Sequence, residues 1–181
     1  MRIIKTSIPD ICKIEPDVYI DERGFFYECY NENILKNHLN QKLNFVQENH
    51  SYSNTNVLRG LHYQIKKPQG KLLRVTSGKI FDVAVDLRKK SPTYKKWTGE
   101  IISADNKHVL WIPPGFAHGF YVVSDSADVI YKVTEPYAPE YERTLAWDDP
   151  ELNISWPLKS EPILSEKDKV GKTLEQCEVY E

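Results

Sequence analysis

Ile80-Phe81-Asp82-Val83-Ala84-Val85-Asp86-Leu87 alternates with a period of two, the side-chain repeat of an extended strand. Phe81, Val83, Val85 and Leu87 share one face, and Asp82, Ala84 and Asp86 share the other. A face with two carboxylates looks onto solvent or onto a polar cavity, and solvent is the ordinary expectation for such aspartates. Just upstream, Ser77-Gly78-Lys79 carries turn chemistry after the apolar run 72–76. The two runs therefore read as a hairpin.

Strand signals recur outward from this segment. Residues 24–30 are aromatic, and 44–53, 57–65, 97–102, 109–112, 118–123 and 129–134 follow, with turn residues between them. Asn31 reads as the N-cap of a short amphipathic helix carrying Ile34, Leu35 and Leu39. Many short strands at near-regular spacing imply a mainly β fold, an antiparallel sandwich or barrel with a few short helices. After Pro136 the chain turns rich in Pro, Glu, Asp and Trp, with helical turns expected only at 166–170 and 173–179. Residues 1–181 read as a single domain whose tail, from about residue 150, packs along the barrel.

Composition narrows the function classes. With 40% hydrophobic and 12% aromatic residues in 181, the chain has enough apolar material for a sizeable core. A formal charge of −2 gives no field for nucleic acid, so any affinity for phosphate rests on local Arg and Lys. No run approaches membrane-spanning length, and Met1 to Pro9 lacks an apolar leader core. The three cysteines Cys12, Cys29 and Cys177 are odd in number and without CxxC spacing. Free thiols in a reducing, cytoplasmic setting are expected.

The segment Asn56-Val57-Leu58-Arg59-Gly60-Leu61-His62-Tyr63-Gln64 places an arginine and a histidine inside a strand. Arg59 and His62 have opposite parity, and Gly60 between them is expected to permit a bulge that re-aims the histidine. A second histidine, His118, follows Pro113-Pro114-Gly115-Phe116-Ala117. His-x-Gln with a later His is similar to the cupin metal pattern, but Gln64 is a poor ligand and no carboxylate follows in Ile65-Lys66-Lys67-Pro68. No metal is expected. Proton transfer is the alternative, with His62 as base and Asp82, Asp86 or Asp168 as the carboxylate that holds it. Lys71 is a candidate for an oxyanion and Tyr131 for a proton donor. Each residue also has a structural reading. His62 and His118 serve equally as hydrogen-bonded structural histidines, Lys71 as a solvated lysine, and Tyr131 and Tyr137 as core or rim aromatics. Gln47, Asn49 and Ser51 share one face, by default a polar outer one, and Arg23 before Gly24 is by default a turn residue.

The ordered set of motifs resembles the dTDP-4-dehydrorhamnose 3,5-epimerase family. It comprises Asp21-Glu22-Arg23-Gly24-Phe25-Phe26, the Gln-x-Asn-x-Ser-x-Ser segment 47–53, Val57 to Gln64, Gly70 to Val75, and Asp82 to Arg88 with Ser91-Pro92-Thr93. Pro113 to Phe120, Tyr131 to Tyr137, Trp147-Asp148-Asp149-Pro150, Ile154-Ser155-Trp156-Pro157 and Leu164 to Asp168 complete it, so the likeness runs from about residue 17 to 169. The main departure is Lys95, where the family usually has glycine.

The resemblance implies a cupin-like jelly-roll sandwich that has lost its metal, needs no cofactor and works as a homodimer with sites near the subunit interface. The implied substrate is a dTDP-linked 4-keto-6-deoxy sugar, inverted at carbons 3 and 5. By motif, His62 would be the base, Asp168 its orienting partner, Tyr131 the acid and Lys71 the enolate stabiliser, with His118 close to the sugar. Arg23, Glu28, Gln47, Asn49, Arg59, Tyr137, Glu142 and Lys167 would hold the nucleotide, some of them from the neighbouring subunit, and Phe25 and Phe120 would be pocket walls. Within this class the rivals are an enzyme inverting only carbon 3 or carbon 5 and one acting on another nucleotide 4-keto sugar. From other classes come a metal-dependent cupin and a catalytically silent sugar-nucleotide-binding module.

Overall fold

The computed structural model describes residues 1–40 and 42–181. Eleven strands and two short α-helices run in the order β1 (Arg2–Lys5), β2 (Cys12–Glu15), β3 (Val18–Asp21), β4 (Gly24–Tyr27), α1 (Glu32–Leu39), β5 (Gln47–Asn54) and β6 (Leu58–Gln64). Then come β7 (Lys71–Asp86), β8 (Trp97–Ser103), β9 (Val109–Ile112), β10 (Phe116–Val133), β11 (Glu142–Thr144) and α2 (Glu166–Lys169). The mainly β, antiparallel reading is borne out. Strands β1, β2, β3 and β11 are additions that no alternation in the sequence signalled.

The expected hairpin at Ser77-Gly78-Lys79 is overturned, because β7 runs unbroken through it for 16 residues. Its partner β10 is one 18-residue strand rather than two. Both bend at the same place. Ile80 pairs with Val122 and Gly78 with Ala127, so residues 123–126 bulge opposite Lys79. Gly78 sits at φ +75°, and a Cβ there would lie 1.8 Å from the Ser126 carbonyl oxygen. Ser124 Oγ accepts from Lys79 N at 2.7 Å and donates to Ser126 O at 2.6 Å, taking up backbone groups that the ladder drops. Gly78 takes the positive φ of a turn glycine, but the chain uses it to bend two strands together.

That bend divides the sheet into the two layers of a sandwich. The first half of β7 and the second half of β10 lie between β9 and β5, while their other halves lie between β8 and β6, with β11 beyond β6. Leu73, Val75, Ile80, Ala84, Ile102, Leu110 and Phe116 form the inner cluster. Val83, Val85 and Leu87 face the other way, against Leu145, Leu152, Leu174 and Trp156 of the C-terminal segment. Each such aliphatic burial contributes about 1.5–3 kcal/mol. The Trp147 to Trp156 motifs turn out to anchor this segment. Asp149 Oδ1 accepts from Glu151 N and Leu152 N, its Oδ2 accepts from Leu174 N, and the Trp156 ring stands edge-on to Phe81 at 5.9 Å.

Two further expectations change. Residues 173–179 form a single turn on the Thr173 carbonyl rather than a helix. The chain then extends so that Tyr180 N reaches Leu87 O and Tyr180 O accepts from Lys89 N, a strand-like pairing incompatible with helical backbone. Asp82 and Asp86 are buried, not solvated. Asp86 accepts from Arg88, Ser91 and Thr93, which explains the Ser91-Pro92-Thr93 motif as a carboxylate cradle. The helix at Asn31 is as read: Asn31 Oδ1 accepts from Asn33 N and Ile34 N, and Leu35 is its buried residue. Such a cap is worth about 1 kcal/mol.

Candidate active site

The site begins with the bulge at Gly60. On β10, two steps separate His118 from Phe120; on β6, three separate His62 from Arg59, their respective partners. The extra residue cancels the parity difference, and both side chains line one cavity. Gly60 is held at φ +120°, and a Cβ there would lie 2.6 Å from Gly119 Cα and 2.8 Å from the His118 carbonyl oxygen. Only glycine lets the two backbones approach this closely.

The cavity has a volume of about 370 Å3, and its wall is drawn from β5, β6, β7 and β10, the turn after β10, β11 and α2. His62 enters it from β6, one quarter exposed, with Nε2 2.5 Å from Asp168 Oδ1. Asp168 is buried at the start of α2, where its Oδ2 accepts from Ser165 Oγ at 2.8 Å and Ser165 also caps the helix. Burial presses the Asp168 carboxyl upward, but its bonds to His62 and Ser165 hold it below the usual carboxylate range. It is therefore an anion at neutral pH. Of the three carboxylates open from the sequence, Asp168 is the one that meets His62.

Lys71 is not a solvated lysine. It is buried, and its Nζ lies 3.4 Å from His118 Nδ1 and 3.4 Å from the His62 carbonyl oxygen. Desolvation pulls its pKa down to about 8, with Asp82 and Glu142 opposing the shift. His118 is likewise buried, its Nε2 2.8 Å from Asp82 Oδ2, and burial pulls its pKa below the ordinary imidazole value. Tyr131 projects from the second half of β10, cross-strand from Asn49, and burial raises its phenol. It stays protonated and able to donate.

The rest of the cavity is polar. Gln47 Nε2 donates to Asn49 Oδ1 at 2.8 Å, while its Oε1 accepts from Tyr137 N at 3.0 Å. Gln47, Asn49 and Ser51 thus share an inward face, not an outer one. Glu142 accepts from Lys167 at 2.8 Å and from the Tyr137 hydroxyl at 3.1 Å. Arg59 is steadied by Ser53 Oγ at 2.9 Å and the Tyr52 carbonyl at 3.1 Å, with N–H groups to spare for a ligand. Phe120 supplies an apolar wall. Gln64 is spent on structure, its amide bonded to Lys67 O, Pro136 O and Ala138 N. Among the described residues no cluster of three or more His, Cys, Asp or Glu has a metal-binding arrangement.

Three expected residues are not brought to this cavity. Arg23 and Phe25 lie on the exposed β3–β4 ribbon and Glu28 just beyond it. There Arg23 pairs with Asp21 at 2.5 Å, Lys107 sits 4.5 Å over the Phe25 ring, and Glu28 accepts from Asn31. Conversely, Gln69 and Gly119 line the cavity unforeseen, and Asp82 and Ser165 stand behind it. Ser51 was within reach of the period-two pattern it shares with Gln47 and Asn49. Gln69 and Ser165 carry no such signal.

Comparisons with known proteins place the chain in a family. Residues 5–176 match the family model of dTDP-4-dehydrorhamnose 3,5-epimerase. The dTDP-4-dehydrorhamnose 3,5-epimerase of Pseudomonas aeruginosa is 52% identical over 180 residues, 99% of each chain. A crystal structure of dTDP-6-deoxy-D-glucose-3,5-epimerase from Legionella pneumophila in complex with dTDP-4-keto-L-rhamnose is 49% identical with a TM-score of 0.95, covering 98% of this chain and 94% of that one. The dTDP-4-dehydrorhamnose 3,5-epimerase of Bacillus anthracis with TDP and PPi bound is 46% identical with a TM-score of 0.90, covering 96% and 99%. The expected cupin-like architecture is thereby borne out. By fold and sequence, the chain belongs to the dTDP-4-dehydrorhamnose 3,5-epimerase family.

Proposed function

We propose that the chain inverts carbons 3 and 5 of dTDP-4-dehydro-6-deoxy-D-glucose, giving dTDP-4-dehydro-L-rhamnose, by proton transfer through His62, Lys71 and Tyr131. The observation that carries this reading is the His62–Asp168 pair opening into the same cavity as the Lys71 ammonium and the Tyr131 phenol. The ketone at carbon 4 acidifies the C–H bonds on either side. His62 takes one of these protons, and the electron pair moves onto the ketone oxygen as an enolate. Asp168, held anionic, stabilises the imidazolium that forms. The Lys71 ammonium stabilises the enolate oxygen in a site sheltered from water. Tyr131 returns a proton to the opposite face of the carbon, which inverts it; His62 then releases its proton to solvent, the Tyr131 phenolate takes one up, and the reset pair acts on the second carbon. No oxidant or cofactor enters the balance.

The dTDP diphosphate, about two negative charges, falls to Arg59 and Lys167, and the Gln47–Asn49–Tyr137 wall to the nucleotide. Arg23, Phe25 and Glu28 serve the same ligand from a second protomer in a homodimer. The support is the β3–β4 ribbon itself: Tyr19, Ile20, Phe25 and Phe26 are all more than 60% exposed. Four adjacent large apolar side chains in water mark an interaction surface. No helix of the described residues is long and apolar enough to cross a membrane. A cytoplasmic setting rests on the three free cysteines.

Proton NMR in deuterated water with dTDP-4-keto-6-deoxy-glucose tests the reading. Loss of the signals at carbons 3 and 5 with appearance of the L-configured product is the expected result. Deuteration and inversion at one carbon alone would assign a mono-epimerase, and absence of exchange with intact binding a silent binding module.

A further inference from the structure

Two aspartates serve histidines in this cavity, and the proton-transfer scheme uses only one of them. Asp82 is 1% exposed. Its Oδ2 lies 2.8 Å from His118 Nε2, and its Oδ1, also buried, has no hydrogen-bond partner among the described residues. A buried carboxylate with an unpaired oxygen is costly. The one visible side-chain partner of Asp82 among the described residues is His118, whereas Ala84, next on the same face of β7, packs into the inner apolar cluster. Asp86, the other acidic residue of this face, is by contrast fully cradled by Arg88, Ser91 and Thr93.

The hydrogen-bond logic runs from Lys71. An ammonium has three donors and no acceptor. Two of them reach His118 Nδ1 and the His62 carbonyl, each at 3.4 Å, and the third is left for the cavity. His118 accepts at Nδ1 only if its proton is on Nε2, and a proton on Nε2 needs an acceptor. Asp82 Oδ2 is that acceptor. We propose that Asp82 is a positioning residue that fixes the His118 tautomer, so that His118 and the His62 carbonyl aim the free N–H of Lys71 at the ketone oxygen. This rests on the proton-transfer reading of the site above and deepens it.

The groups facing Lys71 are Asp82 on its own strand, His118 on β10, His62 on β6, Glu142 on β11 and Lys167 on α2, with Glu100 of β8 behind Asp82. Asp82 and Glu142 support the ammonium and Lys167 opposes it. Removing the Asp82 charge therefore lowers the pH at which Lys71 loses its proton. In an Asp82→Asn variant the amide also offers N–H to Nε2, which favours the tautomer with a proton on Nδ1, pointed at the ammonium.

The test compares wild type, Asp82→Asn, Lys71→Met and the double variant on the dTDP-4-keto substrate. Asp82→Asn should lose ~10- to 100-fold in kcat, less than the ~10²–10³ for outright loss of an oxyanion donor. KM and dTDP affinity should hold, and the alkaline limb of kcat should move to lower pH. On the Lys71→Met background the same change should cost nothing further. An equal loss on both backgrounds, or an unmoved alkaline limb, would overturn the positioning role. Nitrogen NMR of His118 in the wild-type protein gives a reading that no variant's folding can disturb: Nε2 protonated and Nδ1 bare is expected, and the reverse tautomer or an imidazolium refutes the proposal. Wild type that fails to turn over this substrate removes the reading of the site and this inference with it. Active wild type with an Asp82→Asn variant of equal kcat and pH profile removes the inference alone.

Discussion

His62 and His118 are cross-strand partners on β6 and β10, and each has Nε2 within 2.8 Å of an aspartate. The same pair of residue types nevertheless does two different things. The side chain of His62 is 25% exposed and opens into the cavity, whereas that of His118 is 10% exposed and gives its second nitrogen to Lys71. Asp168 has both oxygens bonded and is held low, while burial pushes Asp82 up. A His–Asp pair is thus a base only where the free nitrogen meets substrate. Where the far nitrogen meets an ammonium, the pair becomes a brace.

The variants that best break this comparison are ranked by size. Asp168→Asn keeps the shape but loses the charge and the tautomer control on His62. A drop of about 10³–10⁴ in kcat with little change in KM is expected, far beyond that of Asp82→Asn. Equal losses in steady-state assays of the two variants would erase the distinction between base and brace.

Lys71→Met should cost about 10²–10³ in kcat and remove the alkaline limb expected of wild type near the Lys71 pKa of about 8. Stability moves the other way. The folded-state pKa lies below the ordinary lysine value of 10.5, so the unfolded chain binds more protons between the two. The Lys71 contribution to stability therefore rises with pH in that window. Denaturation of wild type against Lys71→Met across that window should show the difference narrowing as pH climbs, while wild-type activity falls.

Gly60→Ala attacks the bulge that brings both histidine-bearing strands together. The new Cβ meets backbone at 2.6 and 2.8 Å at a positive φ, and a loss of about 3 kcal/mol in urea titrations is expected. Gly24→Ala has a similar φ of +124° but nothing within 4 Å. It should cost only the conformational term of about 1–2 kcal/mol. The smallest effect belongs to Lys95, a lysine at φ +65°. Lys95→Gly should leave kcat unchanged and shift stability by about 1 kcal/mol toward the folded state, offset in part by loss of the exposed Lys95–Glu151 pair.

The contrast also shows what a sequence can carry. Period-two alternation made the strands legible, and Asn31 gave the helix its start. The anomaly of Arg59 and His62 in one strand led to Gly60 and its bulge, which is borne out. Gly78 misled because a positive φ serves a hairpin turn and a double-strand bend equally well, and only the partner strand decides between them. Asp82 and Asp86 misled because alternation places residues on a face without saying what covers that face. Lys71, solvated on composition, is buried because its side chain turns into the cavity against the His62 carbonyl and His118, neighbours far from it in sequence. The ribbon residues Arg23, Phe25 and Glu28 lie outside the cavity of their own chain, a placement that no alternation in the sequence signals.

The central claim is that His62, held by Asp168, removes the protons beside the ketone. Its most direct test is solvent deuterium exchange into dTDP-4-keto-6-deoxy-glucose, followed by proton NMR for wild type and His62→Ala at matched saturation. Wild type should place deuterium at carbons 3 and 5, and His62→Ala, still folded and still binding dTDP, should place none. Exchange persisting in His62→Ala at the wild-type rate would contradict the account.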